Sequence, residues 1–273
     1  HNLPSKLMSG ELSINPDPNT DYQLESLIKH FLADIGWQEI YSYSLVSAKQ
    51  ATDSGYQLTE HLKLANPLKE ENTYLRRSLI PSLIEIIDNN PAQKHMSVFE
   101  IANVYHPQIN DLPKQTLNLT LVSNKNYREV KGDLFNLFKR LYIFSNDQEL
   151  IINEKISKDI KMPIAYQEAN LIVKANSSKT TIGSIMILNQ GLIAIELSLQ
   201  NLIKMAHKYP RYQKLIKTAS IIEEMTFTLN GTTAIGEMIE ALTKVDPHIK
   251  KVELLDIYRS EEHTSELQSP YVI

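Results

Sequence analysis

The sequence predicts an α+β fold, and three observations carry that reading. An amphipathic helical stripe opens near Thr20 and runs into residues with strand period. A second helix at Leu79 to Ile87 is followed by a β-rich run from Val98 to Tyr105. The character of the chain then changes near Lys208-Tyr209-Pro210. At 273 residues, with 42% hydrophobic content, the chain is long enough for one large or two ordinary domains with a sizeable core.

His1 to Asn19 is a polar lead-in bearing prolines. Thr20 and Gln23 have the spacing of a capping box. Leu24, Leu27, Ile28, Phe31, Leu32 and Ile35 then make one buried stripe. Gly36 is placed to end that helix in a left-handed cap. Tyr41, Tyr43 and Leu45 alternate with Ser42 and Ser44, which predicts a strand. Asn66-Pro67-Leu68 gives an extended entry to Arg76-Arg77, two adjacent cations that need a carboxylate, a phosphate or another chain as partner. Ser78 is placed to cap the next helix, Pro81 falls in its first turn, and Asn89-Asn90-Pro91 ends it.

Val98 to Tyr105 reads as a strand, as does the alternation of Leu117, Leu119 and Leu121. Glu129 to Ile143 reads as a helix with Val130, Leu134, Leu137, Phe138 and Leu141 on one face, its start charged by Asp133. Residues 144–180 give no clear period. Ile182 to Leu188 and Leu192 to Leu197 are two strands around a turn at Asn189-Gln190-Gly191, and Ser198 to His207 is a short helix. Beyond the break, Met225, Phe227 and Leu229 predict a strand. Ile235, Met238, Ile239 and Leu242 predict a helix, and Val252 to Tyr258 a second strand.

Composition excludes several classes of function. A net charge of −4 makes any nucleic-acid contact a local patch rather than a bulk property. Zero cysteines exclude disulfides and thiolate metal sites and favour a reducing compartment. The eight histidines form no close pair with helical metal spacing, so no metal site is expected. No G-x-x-x-x-G-K-(S/T) loop and no G-x-S-x-G elbow occurs. No apolar run is long enough for a transmembrane helix, and the N-terminus has no apolar signal core.

Several spaced segments, in one order, resemble the β subunit of bacterial phenylalanyl-tRNA synthetase. Asn66-Pro67-Leu68, Leu75-Arg76-Arg77-Ser78-Leu79-Ile80-Pro81-Ser82-Leu83 and Phe99-Glu100-Ile101-Ala102-Asn103-Val104-Tyr105 match that family's "NPL … LR-x-SL-x-P-x-L … FE-x-G-x-V-(F/Y)" pattern, with Ala102 where the family has glycine. Gly36 to Ser44 resembles its "G-(F/W)-x-E-(V/I)-x-(T/S)-Y-S", and Val130 to Leu134 its "(L/V)-K-G-x-(L/V)". Ile221 to Phe227 and Val252 to Tyr258 resemble motifs of the ferredoxin-like anticodon-binding domain.

The resemblance implies a class II aminoacyl-tRNA synthetase-like antiparallel sheet with flanking helices, followed by a truncated ferredoxin-like anticodon-binding domain. Residues 1–19 become the tail of a preceding domain, 20–208 a catalytically inert core and 209–259 a partial anticodon-binding domain. Residues 260–273 resemble the translation of a sequencing adapter; without their three glutamates the net charge is about −1. Half a ferredoxin-like unit leaves a strand edge uncovered, so residues 211–258 are expected to be marginally stable.

The resemblance also implies a cytoplasmic heterotetramer that charges tRNA(Phe), with ATP and Mg²⁺ bound in the α subunit and none bound by this chain. In the catalytic relative an arginine after the second-motif strand grips the α-phosphate. Here His106-Pro107 follows Asn103-Val104-Tyr105, and no arginine occurs between Arg140 and Arg211 to supply the third-motif clamp. No catalytic residue is therefore expected. Arg76, Arg77, Tyr41 and Tyr43 are the candidates for structural pairing or for contact with the α subunit. Arg76 and Arg77 read as phosphate ligands only secondarily. The basic run carrying Lys208, Arg211, Lys214 and Lys217, with Tyr209 and Tyr212 interleaved, reads equally as a tRNA-backbone track or as a solvated linker. Readings from other classes are a stand-alone class II-like ATP-dependent ligase, which needs the absent arginines, and a generic interaction module, which leaves the order of motifs unexplained.

Overall fold

A computed structural model describes residues 20–143, 148–153, 162–175, 178–207, 209–210, 221–229, 235–249 and 251–256. The chain divides into two compact units, His1–Gln213 and Lys214–Ile273.

In the first unit the order is α1 (Thr20–Asp34), β1 (Gln38–Glu39), β2 (Leu45–Ser47), α2 (Ala48–Asp53), a 3-10 turn at Leu58–Glu60, β3 (Asn72–Leu75), α3 (Ile80–Asp88), β4 (Ser97–His106), β5 (Lys114–Ser123), α4 (Tyr127–Arg140), β6 (Gln148–Asn153), β7 (Ala165–Ala175), β8 (Ser178–Leu188), β9 (Ile193–Ser198) and α5 (Leu199–Met205). Seven strands form one sheet in the order β1-β4-β5-β9-β8-β7-β6. Among the described residues of this sheet, the two-residue β1 runs parallel to its neighbour and the other pairings are antiparallel. β2 and β3 form a separate antiparallel pair.

The pleat sends alternate residues to opposite faces. On one face Val98, Val122, Met186 and Ala194 pack with Ile80, Leu83 and Ile87 of α3. On the other, Phe99, Leu119, Leu121, Ile195 and Leu197 are equally buried. Both faces are therefore covered along the central strands. α4 forms because Asn126 and Glu129 make a reciprocal capping box and Val130, Leu134, Leu137 and Phe138 bury one face. α1 buries Ile28 and Leu32, while Leu24, Leu27, Phe31 and Ile35 are half-buried. It ends as expected: Gly36 has φ 91°, its N–H reaches Ala33 O at 3.0 Å, and Trp37 N–H reaches Leu32 O at 2.9 Å.

Three expectations fail in this unit. The strand through Tyr41 and Tyr43 does not form; β2 begins only at Leu45, because side chains rather than a ladder take the backbone groups of Ser42 and Tyr43. Ser78 is not the N-cap of α3; Leu79 is, and Ser78 Oγ accepts from Ile80 N–H at 3.2 Å. Asp133 lies in the middle of α4 and accepts from Trp37 Nε1 at 3.0 Å. Residues 144–180, which showed no period, contain β6, β7 and the start of β8.

In the second unit α6 (Ile235–Val245) forms as expected and Asp246 accepts from His248 N–H just after it. The strands expected at 225–229 and from Val252 do not: residues 221–229 and 251–256 carry no regular structure and are almost wholly exposed. A ladder needs a neighbouring strand to take its N–H and C=O groups, and alternation alone does not supply one. Among the described residues no helix is long and apolar enough to cross a membrane. Residues 1–19 and 260–273 lie outside the described residues.

Candidate functional site

One row of residues crosses the sheet beneath the start of α3: Glu100 on β4 faces Thr120 on β5, which faces Glu196 on β9. Two carboxylates thus lie on one buried face with a threonine between them. The segment linking β3 to α3 lies against this row, and Arg76 and Ser78, two residues apart, each reach one carboxylate.

Arg76 closes the edge of β4 as well as binding Glu100. Its carbonyl accepts from Tyr105 N–H at 2.9 Å and its Nε donates to Asn103 O at 3.1 Å. Its Nη1 stands 3.2 Å from Glu100 Oε1 and 2.7 Å from Ser42 Oγ. Glu100 in turn accepts from Ser42 N–H at 3.1 Å and from Ser42 Oγ–H at 2.6 Å. The ion pair is almost sealed from water, with side-chain exposures of 3% and 2%.

Glu196 is half-buried and, among the described residues, pairs with no cation. Its Oε1 accepts from Ser78 Oγ at 3.0 Å, Thr120 Oγ1 at 3.2 Å and Leu79 N–H at 3.3 Å. Burial pushes its carboxyl above the ordinary glutamate range, against the opposing pull of those donors and of Asn118. Gly183 lets β8 run beside it, since a Cβ there would collide with the Glu196 carbonyl.

The expected site residues separate. Arg77 is stacked 3.7 Å above the Tyr56 ring, donates to Glu60 O at 3.1 Å and pairs with the Glu60 carboxylate at 3.6 Å. Its Nε is buried without a hydrogen-bond partner. Tyr41 and Tyr43 are 77% and 85% exposed on either side of the anchored Ser42. Lys208, Arg211, Lys214 and Lys217 lie outside the described residues. Sequence reasoning missed Glu100 and Glu196 as a pair. A lone carboxylate inside each apolar β run, Val98–Ile101 and Ile193–Leu197, was the available signal.

Among the described residues, Arg76, Arg77 and His106 do not fit an ATP–Mg²⁺ group. His106, at the position where the catalytic relative's pattern has arginine, bonds Thr116 Oγ1 at 3.0 Å. Burial, then the charges of Arg77 and Lys114, hold it below the ordinary histidine range, so it favours the neutral form. Arg76 is consumed by Glu100 and Arg77 by Glu60. The two guanidiniums nearest that position, Arg76 and Arg77, already hold the chain's own carboxylates.

The family model of the phenylalanyl tRNA synthetase beta chain CLM domain matches residues 3–185. The chain belongs to that family. The phenylalanine–tRNA ligase β subunit of Fusobacterium nucleatum is 23% identical over 267 residues, covering 90% of this chain and 33% of the relative. That of Leptospira biflexa is 36% identical over 99 residues, covering 35% of this chain and 12% of the relative. The chain therefore spans about one third of the length of the curated relatives it matches along most of its own. Among solved structures, a Giardia lamblia prolyl-tRNA synthetase in complex with prolyl-adenylate aligns with a TM-score of 0.53 at 9% identity, over 68% of this chain and 45% of that one. At that identity the likeness is one of fold: a mainly antiparallel synthetase sheet, here in a phenylalanyl-tRNA synthetase β chain.

Proposed function

We propose that this β chain is a non-catalytic part of phenylalanine–tRNA ligase, which supports ATP-dependent aminoacylation of tRNA(Phe) in the cytoplasm by assembling with the α subunit and contacting tRNA. The observation that carries this reading is the Glu100–Thr120–Glu196 row. It lies on a synthetase-type sheet, yet its carboxylates are filled by Arg76, Ser78, Thr120 and the start of α3. A site that binds its own chain has no open position for a reacting phosphate.

On this reading ATP and Mg²⁺ bind in the α subunit. Tyr41 and Tyr43, exposed aromatic side chains of the kind enriched in interfaces, meet the α subunit. Arg76 is structural. The basic residues Lys208, Arg211, Lys214 and Lys217 track the tRNA backbone, and residues 209–259 are part of a ferredoxin-like anticodon-binding domain.

The test is co-purification of the full-length β chain with its α subunit and recovery of Phe-tRNA synthesis. The expected outcome is a stable complex that charges tRNA, with no ATP binding by the β chain alone. A full-length β chain that neither binds α nor supports charging ends this reading. For the basic run, charge reversal at Lys214 and Lys217 is expected to weaken tRNA binding at low salt; unchanged affinity rejects that patch.

A further inference from the structure

We infer that the buried Arg76–Glu100 pair is a positioning device for the Tyr41–Tyr43 surface. It fixes Ser42 so that both neighbouring rings stand outward, preshaped for a partner subunit. The inference rests on the reading above that this surface meets the α subunit.

The chain from Ile40 to Ser44 leaves the sheet. Ile40 N–H still donates to Phe99 O at 2.8 Å, but no ladder follows. From there the backbone is held almost entirely by one ion pair. Ser42 N–H and Oγ–H go to the two oxygens of Glu100. The carbonyls of Ser42 and Tyr43 each lie 3.4 Å from Arg76 Nη1, and the carbonyl of Ser44 accepts from Arg76 N–H at 3.0 Å. Ser42 therefore points inward onto buried charge, and its two neighbours in an extended chain point the other way. Lys29, bound to Glu25 at 2.9 Å and Glu39 at 3.0 Å, stands 5.8 Å from the Tyr41 ring.

Two physical arguments turn this arrangement into a function. A buried ion pair contributes little stability compared with an apolar replacement, so its use lies in what it specifies, and what this pair specifies is the path of residues 42–44. Tyrosine also suits a prepared surface: with two side-chain torsions it loses little entropy on docking, and a backbone already fixed removes the ordering cost of binding. The partner face that fits is apolar, with hydrogen-bond groups placed for two phenolic hydroxyls.

The experiment uses the full-length β chain with its α subunit. Three variants are compared: Y41A/Y43A, R76K and S42A. R76K keeps the charge but lacks the planar fork, and S42A leaves the ion pair intact. For each, the α–β dissociation constant, the thermal midpoint of the unassembled β chain and the hydrogen exchange of amides 42–44 are measured. Y41A/Y43A is expected to weaken assembly at least about tenfold without moving the thermal midpoint, as loss of interface anchors does. R76K and S42A are expected to speed exchange at 42–44, leave β5 and β9 protected, and weaken assembly by about tenfold through lost preorganisation.

Normal assembly of Y41A/Y43A removes the interface reading on which the inference stands. Weakened assembly of Y41A/Y43A, together with normal assembly of R76K and S42A, overturns the positioning role alone. So does unchanged exchange at 42–44. Should R76K fail to fold, S42A decides the matter.

Discussion

Glu100 and Glu196 are near twins by position and opposites by chemistry. They flank the same threonine and lie on the same sheet face, Glu100 buried and Glu196 half-buried. Glu100 has a guanidinium within 3.2 Å; Glu196 has only hydroxyls, amides and one backbone N–H at the start of α3. With only neutral donors, the Glu196 carboxyl is pushed up by burial. Breaking the paired one has the larger consequence. E100A strands Arg76 in the interior and leaves three neighbouring carbonyls around an uncompensated cation, and is expected to cost about 3–5 kcal/mol in urea unfolding. E100Q/R76M, which removes charge from both partners, is expected to recover much of that loss. Equal losses in the single and double variants would remove the pair as the cause.

Glu196 sharpens the contrast through pH. Its folded pKa lies above its unfolded one, so between the two values the folded state holds a proton that the unfolded state has released. Its contribution is most favourable below the unfolded carboxylate range and is lost as pH rises through the folded pKa. E196Q, which keeps shape without charge, is expected to raise the thermal midpoint above pH 7 and to flatten its fall with pH. E196A strands the donors of Ser78, Leu79 and Thr120 and is expected to cost about 1–3 kcal/mol at low pH, where the wild-type carboxyl is neutral. A midpoint of E196Q that tracks the wild type at every pH would show that Glu196 is ionised in the fold after all.

The legible parts of the sequence were those governed by local rules. The stripe of α1, its end at Gly36, the proline in the first turn of α3 and the hairpin around Asn189-Gln190-Gly191 all follow from periodicity and turn chemistry. What was missed depends on distant partners. Tyr41 to Leu45 has perfect strand alternation, but Arg76 and Glu100, 34 and 58 residues away from Ser42, take the hydrogen bonds a ladder needs. Asp133 looked like a helix-start charge because its partner Trp37 is 96 residues distant. Residues 225–229 have strand period and no strand among the described residues, since pattern specifies a face and not the neighbour that covers it. The site was half legible for the same reason. The twin arginines announced a need for carboxylates, but which carboxylates lay one on each of two strands that only the fold brings together.

Asp133 extends the comparison to a third carboxylate and the smallest effect. It is only half-withdrawn from water, accepts from Trp37 Nε1 at 3.0 Å and stands 3.3 Å from Lys125, with side-chain exposures of 26% for the lysine and 20% for the aspartate. Trp37 itself is buried where α1 turns into β1, so this bond ties that corner to the middle of α4. Water can reach the Lys125 partner, so that half of the contact is worth a few tenths of a kcal/mol and fades with salt. The indole bond is the firmer half, because a buried N–H without an acceptor carries its full desolvation cost. D133A is therefore expected to lose about 1 kcal/mol, a fall of about 2–4 °C in the thermal midpoint for a domain of this size. K125A is expected to stay within about 0.5 kcal/mol of wild type. A double-mutant cycle between W37F and D133A isolates the bond: a coupling energy near zero would mean that Trp37 is held by packing alone, and that Asp133 does not shape this core.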